Sequence, residues 1–253
     1  MSLDYHAANF GAGLLNCLSP MPIDLMLVMP VYNEEACIEA VVASWRDQFD
    51  SLGLDFALLV LNDGSKDQTA RALQVFENDP RIRVINKANS GHGPTILAGY
   101  RIAVEEAQWV FQCDSDDEMK PDAFPKLWQK REKYDAIFGT RALRQQEPAR
   151  RLLSAGSRAV VRLLFGRGVR DVNTPYRLMR ATKLRPIVRA IPDDTFAPNI
   201  LISGVFSKHR NRIHNTPVPH ENRKTGEVSL TSAKVWKVAA KSLRQTLGFK
   251  MPK

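Results

Sequence analysis

A cluster of acidic residues follows an apolar run in this 253-residue chain and could bind a metal ion. Asp114, Asp116, Asp117 and Glu118 follow the apolar run Trp109–Phe111 after two intervening residues. Repulsion between carboxylates so close together is most simply offset by a divalent cation. Mg2+ and Mn2+ both prefer oxygen ligands of this kind. A solvated acidic turn is the alternative interpretation, and for an isolated cluster it is the more common one.

The spacing within the cluster predicts which carboxylates act together. On an extended backbone, alternate side chains point to the same side. Asp114, Asp116 and Glu118 would then form the metal-binding set, and Asp117 would face away and be dispensable.

Short apolar runs alternate with helical patterns and predict the elements that position this cluster. The predicted strands are Leu25–Met29, ended by Pro30, then Phe56–Leu61, Arg81–Ile85, Trp109–Cys113 and Ala136–Phe138, with later strand-like segments at Asp171–Met179 and Arg212–Pro219. The predicted helices are Asn33–Phe49, Asp67–Glu77, Pro94–Ala107, Pro121–Lys133 and Leu152–Leu164. This order predicts an α/β fold with a mostly parallel sheet and helices on both faces. Ligands bind at the carboxyl ends of such strands, so the polar loops should share one rim of a cleft.

Composition and charge favour one large domain with anionic partners. The chain is 44% apolar and carries a formal net charge of +9. From Arg223 onward there are eight basic residues and one acidic residue, Glu227. Residues 231–253 are predicted to form a basic amphipathic helix that associates with an anionic membrane surface. We divide the chain into an N-terminal arm (1–22), a catalytic domain (23–230) and this helix.

Other features favour a cytoplasmic protein that is peripheral at the cytoplasmic face of the membrane. Cys17, Cys37 and Cys113 are scattered, which fits a reducing compartment. The N-terminal segment does not have the pattern of a signal peptide. The longest apolar runs are far shorter than the roughly 18–20 residues that a spanning helix needs.

Six motifs occur in a recognisable order. They are Val28-Met29-Pro30-Val31-Tyr32-Asn33-Glu34-Glu35, Asn62-Asp63-Gly64-Ser65, Asn89-Ser90-Gly91-His92-Gly93, Asp114-Ser115-Asp116, Gly139-Thr140-Arg141 and Asp171-Val172-Asn173-Thr174-Pro175-Tyr176-Arg177. From about Leu25 to Leu230 the chain resembles the family 2 inverting, nucleotide-sugar-dependent glycosyltransferases with the GT-A (Rossmann-like) fold. It looks most like the branch of dolichol-phosphate mannose synthase and the bacterial polyprenyl-phosphate glycosyltransferases.

The resemblance implies a nucleotide-sugar donor and assigns residues to it. Pro30, Tyr32 and Glu34 would line the base and ribose pocket, and Asp63 would contact the base. A turn with a helix N-cap is the alternative interpretation of the Asp63 motif. Gly93 and Asp114 complete the nucleotide-binding set, since the glycine turn permits close approach of a ligand. His92 is a weak candidate for a base.

The same resemblance assigns the metal and catalytic residues. Asp114, Asp116 and Glu118 match the positions that hold the diphosphate-bound Mg2+ or Mn2+, although relatives often carry glutamine at the last position. Asp116, Arg141 and Arg223 would be the catalytic residues, because guanidinium groups suit phosphate oxygens. Arg151, Arg158 and Arg177 are further candidates for acceptor or phosphate contact, and Arg177 could instead pair with Asp171.

The sequence leaves two kinds of sugar acceptor as alternatives. A lipid phosphate is already ionised and needs positive charge rather than a base, which favours a polyprenyl (undecaprenyl or dolichyl) phosphate. A saccharide hydroxyl needs a general base, and Asp194 would then supply it. The sequence does not indicate the oligomeric state.

Two further classes of protein are alternatives. A basic nucleic-acid-binding module would suit the sequence pI of about 9.6. However, the acidic cluster would repel nucleic acid, so we expect no nucleic-acid partner. A nucleotidyltransferase also uses paired carboxylates, but such enzymes usually begin with a glycine- and lysine-rich phosphate loop.

Overall fold

The computed structural model describes residues 22–141, 166, 168–220 and 242–252. Its strands are β1 (Ile23–Val31), β2 (Phe56–Asp63), β3 (Ile82–Lys87), β4 (Ala107–Gln112), β5 (Ala136–Arg141), β6 (Arg177–Arg180) and β7 (Ile213–Val218). They form one seven-stranded sheet in the order β3-β2-β1-β4-β6-β5-β7. Strands β3, β2, β1 and β4 are parallel to one another, and β5 is parallel to β7. Strand β6 lies between these two groups and is antiparallel to both of its neighbours, β4 and β5.

The helices cover both faces of this sheet. They are α1 (Ile38–Ser51), α2 (Thr69–Ala72), α3 (His92–Glu106), α4 (Phe124–Trp128), α5 (Ala181–Ala190), α6 (Pro198–Lys208) and α7 (242–248). Short 3-10 turns occupy Leu73–Phe76, Pro121–Ala123 and Arg131–Lys133. The predicted α/β class, with a mostly parallel sheet between helical layers, is confirmed.

Strand β1 shows why the central runs are continuously apolar rather than alternating. Leu25 and Leu27 belong to the core on the α1 side, whereas Met26 and Val28 belong to the core on the α3 side. All four side chains are at most 2% exposed. A strand buried on both faces needs apolar residues at every position, which is the pattern that predicted a parallel sheet.

Strand β1 extends past the proline that was expected to end it. Pro30 lies inside β1 and pairs in register with Leu61 of β2. The register of β1 with β4 ends earlier, at Val28 and Gln112. Pro30 therefore lies where β1 has a ladder on one side only, a position at which a missing N–H is tolerated.

Three predicted helices are shorter or broken in the structure, and one of them, Asp67–Glu77, consists of α2 followed by a 3-10 turn. Helix α1 begins at Ile38 rather than Asn33, because Asn33 has a left-handed φ of 54°. The predicted helix over Pro121–Lys133 is broken into a 3-10 turn, α4 and a second 3-10 turn. Pro125 lies within the first two positions of α4, where a proline is favourable because its missing N–H would have no partner within the helix.

The N-terminal arm, the predicted helix Leu152–Leu164 and most of the predicted C-terminal helix lie outside the described residues. Residues 242–248 of the last segment are helical. In the part of the chain that the structure describes, no helix is both long and apolar enough to cross a membrane.

Candidate active site

A cleft of about 670 Å³ opens at the carboxyl ends of β1, β2 and β4. The residues that line it come from the carboxyl ends of β1 and β2, the loops after β1, β3 and β4, and the start of α3: Pro30, Val31, Tyr32, Asn33, Glu34, Asp63, Asn89, Gly91, His92, Thr95, Asp114, Ser115 and Asp116. Of the residues assigned from the sequence, Pro30, Tyr32, Glu34, Asp63, Asp114 and Asp116 are brought together here.

The first two loops are held together by hydrogen bonds between backbone and side chains. The Asn33 amide donates to Ser65 Oγ (3.0 Å), and the Lys66 amide donates to Asn33 Oδ1 (2.8 Å). The Glu34 amide donates to Thr69 Oγ1 (2.8 Å). Because these amides are satisfied by the neighbouring loop, residues 33–35 need not be helical. The cross-links fix the wall of the cleft that carries Tyr32.

Asp63 anchors the third loop as well as lining the cleft. Its carboxylate accepts hydrogen bonds from the Ser90 amide (2.8 Å), the Gly91 amide (2.9 Å) and Lys87 Nζ. Burial alone would raise the pKa of Asp63, but the bonds from Lys87 and from Ser90 outweigh it and lower that pKa. Gly91, at φ +92°, has the left-handed backbone that this turn requires.

The acidic cluster is not extended, so the predicted alternation does not hold. No strand covers residues 113–120, and Asp117 has a left-handed φ of 58°. Asp114 and Asp116 line the cleft, whereas Asp117 forms an ion pair with Lys120. Asp117 is therefore distinguished from Asp114 and Asp116 by a turn and an ion pair rather than by strand alternation, and its dispensability stays a prediction.

Glu118, the third predicted metal ligand, lies close to Asp116 in the turn, and its amide donates to Asp116 Oδ1 (3.2 Å). Its carboxylate is 2.8 Å from His220 Nε2, and both side chains are largely buried. Glu118 is not among the residues that line the cleft. Its direct ligation of a metal stays a prediction.

The donor set of the cleft fits a cation that is bound together with a nucleotide. Among the described residues, no group of three or more histidine, cysteine or acidic side chains could hold a metal ion alone. Mg2+ and similar ions are commonly held by one or two carboxylates, with substrate phosphates completing the coordination. Asp114 and Asp116 can supply those two carboxylates.

Arg141 lies at the end of β5 and is oriented by an ion pair. Its Nε and Nη2 donate to the two carboxylate oxygens of Asp171, at 2.8 and 3.1 Å. Burial opposes the charged guanidinium, but the Asp171 pair, together with the negative charges of Asp114 and Glu118, raises the pKa of Arg141. Within the described residues Nη1 makes no hydrogen bond, so this nitrogen is the one available to a phosphate.

The expectation that Arg177 contacts Asp171 or a ligand is wrong. Arg177 is 0% exposed, and its guanidinium donates to the carbonyl oxygens of Val172, Thr174 and Asn199. Asp171 is already bound by Arg141. Burial lowers the pKa of the Arg177 guanidinium. In this structure Arg177 faces the interior from β6 and is not among the residues that line the cleft.

Two other assigned residues lie beside the cleft rather than in it. A Cβ at Gly93 would meet the carbonyl oxygen of Phe196 at 2.1 Å, so this glycine permits close packing of the backbone before α6. Asp194 lines a separate cavity of about 370 Å³ beside α7, with Arg244 and Phe249 among its neighbours. Arg151, Arg158 and Arg223 lie outside the described residues.

Sequence reasoning missed several polar residues at the site. Thr95 and Asn89 line the cleft, and Lys87 donates to Asp63. Lys87 is the last residue of β3 and Asn89 follows it at the shared rim, so the strand order could have indicated them. Gln112 donates from Nε2 to Asp114 Oδ1 (2.9 Å). A glutamine within the apolar run of β4 was the available signal.

Comparison with known proteins supports the family suggested by the motifs. The model of the family described as "Glycosyl transferase family 2" matches residues 26–199. An undecaprenyl-phosphate 4-deoxy-4-formamido-L-arabinose transferase from Pseudomonas aeruginosa is 30% identical over 215 residues, covering 83% of this chain and 61% of that protein. A protein of the same name from Shewanella sediminis is 28% identical over 79% of this chain and 60% of its own length. This chain therefore spans about six tenths of these relatives.

Solved structures resemble the fold. Glucosyl-3-phosphoglycerate synthase from Mycobacterium tuberculosis, in complex with phosphoglyceric acid, has a TM-score of 0.64 at 19% identity, covering 91% of this chain and 81% of that one. The same enzyme with Mn2+ and UDP-glucose gives a TM-score of 0.64, with 91% and 80% covered. At this identity the likeness shows the fold alone, which is the GT-A fold. With the family model matching most of the chain, this protein belongs to glycosyl transferase family 2.

Proposed function

We propose that this chain is a metal-dependent, inverting glycosyltransferase that moves a sugar from a UDP- or GDP-sugar to a polyprenyl phosphate. The observation that most supports this proposal is the negative charge of the cleft. Glu34, Asp63, Asp114 and Asp116 line it, and no lysine or arginine is among its described lining residues. These carboxylates would repel an anionic nucleotide-sugar unless a cation accompanied it.

A divalent cation fits the residues present. Asp114 and Asp116 would hold Mg2+ or Mn2+ at the end of β4. When bound, the ion supplies positive charge that stabilises the leaving nucleoside diphosphate. The Mn2+ and UDP-glucose complex of the mycobacterial enzyme with the same fold is consistent with this arrangement.

The nucleoside would occupy the opposite wall. Tyr32 is 38% exposed and offers a ring face to the base. Asp63 and Glu34 line the same wall and can accept hydrogen bonds from the base and ribose. Because the hydrogen bonds between loops already fix residues 33–35, this pocket is formed before the ligand arrives.

Arg141 would face the phosphates from the far side of the acidic cluster. The Asp171 pair holds its guanidinium in place and leaves Nη1 to donate. We extend the proposal to Arg223, Arg151 and Arg158 as further phosphate contacts. In the reaction a phosphate oxygen of the acceptor would form a bond to the anomeric carbon while the bond to the diphosphate breaks on the opposite face.

Two observations favour a lipid phosphate over a saccharide hydroxyl as acceptor. The names of the Pseudomonas and Shewanella relatives specify undecaprenyl phosphate. Asp194, the base that a hydroxyl acceptor would require, lines a cavity separate from the cleft. An ionised phosphate needs no general base, so the cleft can act without one.

The proposed test compares two acidic neighbours. Asp116→Ala removes a cleft carboxylate, whereas Asp117→Ala removes one that pairs with Lys120. We expect Asp116→Ala to abolish sugar transfer and the Mn2+-dependent rise in melting temperature with UDP or GDP. Asp117→Ala should retain both. Full activity of Asp116→Ala, or of the unaltered protein in EDTA, would contradict the mechanism.

A further inference from the structure

Three polar side chains are buried behind Asp114. Tyr100 of α3 and Gln112 of β4 are 0% exposed, and Asn199 of α6 is 4% exposed. They come from three different elements and meet beneath the acidic cluster. Burying polar side chains costs free energy unless they are hydrogen-bonded.

These residues form a continuous hydrogen-bonded chain that ends on Asp114. The Tyr100 hydroxyl donates to Asn199 Oδ1 (3.0 Å), and Asn199 Nδ2 donates to Gln112 Oε1 (3.1 Å). Gln112 Nε2 then donates to Asp114 Oδ1 (2.9 Å). The Tyr100 hydroxyl oxygen also lies 3.3 Å from Gln112 Oε1.

The direction of the chain is set by its two ends. An ionised carboxylate only accepts, so Gln112 must turn its amide nitrogen toward Asp114. Its oxygen then faces Asn199, which must present nitrogen in turn, and this leaves the Asn199 oxygen for Tyr100. Burial raises the pKa of Tyr100, which keeps its hydroxyl protonated and donating. Hydrogen bonds aligned in one direction strengthen one another in a buried setting.

Arg177 holds Asn199, which lies between Tyr100 and Gln112 in the hydrogen-bonded chain. Arg177 lies opposite Gln112 in the register of β4 with β6. Its guanidinium donates to the Asn199 carbonyl oxygen (3.2 Å) and to the Thr174 carbonyl oxygen (2.7 and 2.9 Å). The start of α6 is thereby held against β4.

An apolar core would have sufficed for packing at this place. Val110 is on the same face of β4 as Gln112, is 0% exposed and belongs to the core on the α3 side. Gln112, unlike Val110, is polar, and within the described part of the protein the hydrogen-bonded chain reaches the cleft at the Asp114 carboxylate. Gln112 donates to Oδ1 of Asp114, while Oδ2 of Asp114 makes no hydrogen bond within the described residues.

We propose that Gln112, supported by Asn199 and Tyr100, is a positioning residue that holds the Asp114 carboxylate in the orientation required by the divalent cation. This inference rests on the proposed function. Partners behind a ligating group fix its orientation, and losing one typically costs about 10–100-fold in metal affinity.

The test is Gln112→Met, which keeps the length of the side chain and removes the donor. Mn2+ is titrated into the full chain with saturating UDP or GDP, and the apparent Mn2+ affinity is measured calorimetrically. We expect a loss of about 10–100-fold. Nucleotide binding in EDTA should be unchanged. Tyr100→Phe, which removes only the far end of the chain, should give a smaller loss in the same direction.

Ser203→Ala is the matched control. Ser203 is 0% exposed and donates to the Val172 carbonyl oxygen. It also accepts a long hydrogen bond from Arg177 Nη1 (3.5 Å), but it is not a member of the chain that reaches Asp114. The substitution should lower the melting temperature without changing Mn2+ affinity. If Gln112→Met does not fold, Tyr100→Phe carries the test.

The outcomes separate this inference from the proposed function. Unaltered Mn2+ affinity in both variants, with Mn2+-dependent binding by the wild-type protein, overturns the inference alone. The inference is also overturned if a variant loses as much nucleotide affinity in EDTA as it loses Mn2+ affinity. Such a result would show that the substituted residue maintains the structure of the cleft rather than the orientation of Asp114. If the wild-type protein has no Mn2+-dependent binding, the proposed function fails and the inference fails with it.

Discussion

At the scale of single residues, one carboxylate can have both a structural and a binding role. Asp63 lines the cleft, and it also gathers the amides of Ser90 and Gly91 and the ammonium group of Lys87. A residue of this kind is recognised from sequence as part of a turn motif. Its partners across the loops become visible only in three dimensions.

Asp63→Asn tests the structural role. The pKa of Asp63 is lowered in the folded protein, so its charged form stabilises the fold at neutral pH. We expect the variant to lose about 1–3 kcal/mol of the free energy of unfolding at pH 7. This difference should shrink as the pH falls below about 4, the ordinary pKa of an aspartate in the unfolded chain, and it is lost as the pH falls through the lowered pKa of Asp63 in the folded protein. Urea unfolding at pH 7 and at pH 3 measures it.

Asp47→Asn serves as the control. Asp47 is 66% exposed and pairs with the adjacent Arg46. Its replacement should change the free energy of unfolding by no more than about 0.5 kcal/mol at either pH. A loss for Asp63→Asn that persists unchanged at pH 3 would show that its charge is not the cause.

At the scale of elements, close approach of α3 to the backbone before α6 sets the edge of the cleft. A Cβ at Gly93 would meet the carbonyl oxygens of Phe196 and Thr195 at 2.1 and 2.5 Å. Backbone atoms cannot move aside as a flexible side chain can. The glycine therefore connects the cleft loop, through α3, to the segment that precedes Asn199.

Gly93→Ala should lower the free energy of unfolding by about 1–3 kcal/mol, as overpacking of a dense interior typically does. Gly248→Ala is the matched control, since a Cβ there would meet nothing within 4 Å. Thermal or urea unfolding of both variants measures the difference. Equal stability of the two variants would contradict the packing described here.

The sequence predicted the elements better than it predicted contacts between them. Strand identity followed from continuous apolar runs such as Leu25–Met29, because burial on both faces leaves a local signature. The start of α1 was misplaced, since the amides of Asn33 and Glu34 bond to side chains more than thirty residues away. Arg177 was misassigned for the same reason: its carbonyl partners include Asn199, which is distant in sequence.

At the scale of the whole molecule, the charge of the cleft contrasts with that of the chain. The protein carries a net charge of +9, whereas the described cleft presents four carboxylates and no lysine or arginine. Helix α7 adds a second surface: Leu243 and Leu247 are 41% and 61% exposed and lie on one face. We infer that this face contacts the membrane that carries a lipid acceptor.

The variant Leu243→Asp/Leu247→Asp should weaken binding to vesicles that contain anionic lipid, because it removes apolar area and adds negative charge. Co-sedimentation with vesicles measures the bound fraction. Val75→Asp is the control, as Val75 is 59% exposed on a different element. Equal binding of all three proteins would exclude this face of α7 as the contact.

The most direct test of the account is a transfer assay with the wild-type protein, a panel of UDP- and GDP-sugars, and either undecaprenyl phosphate or a simple saccharide as acceptor, with Mn2+ or with EDTA. We predict that one donor yields a glycosylated lipid phosphate with inverted anomeric configuration, only when Mn2+ is present. Transfer that continues in EDTA, or that occurs only to the saccharide, would contradict it.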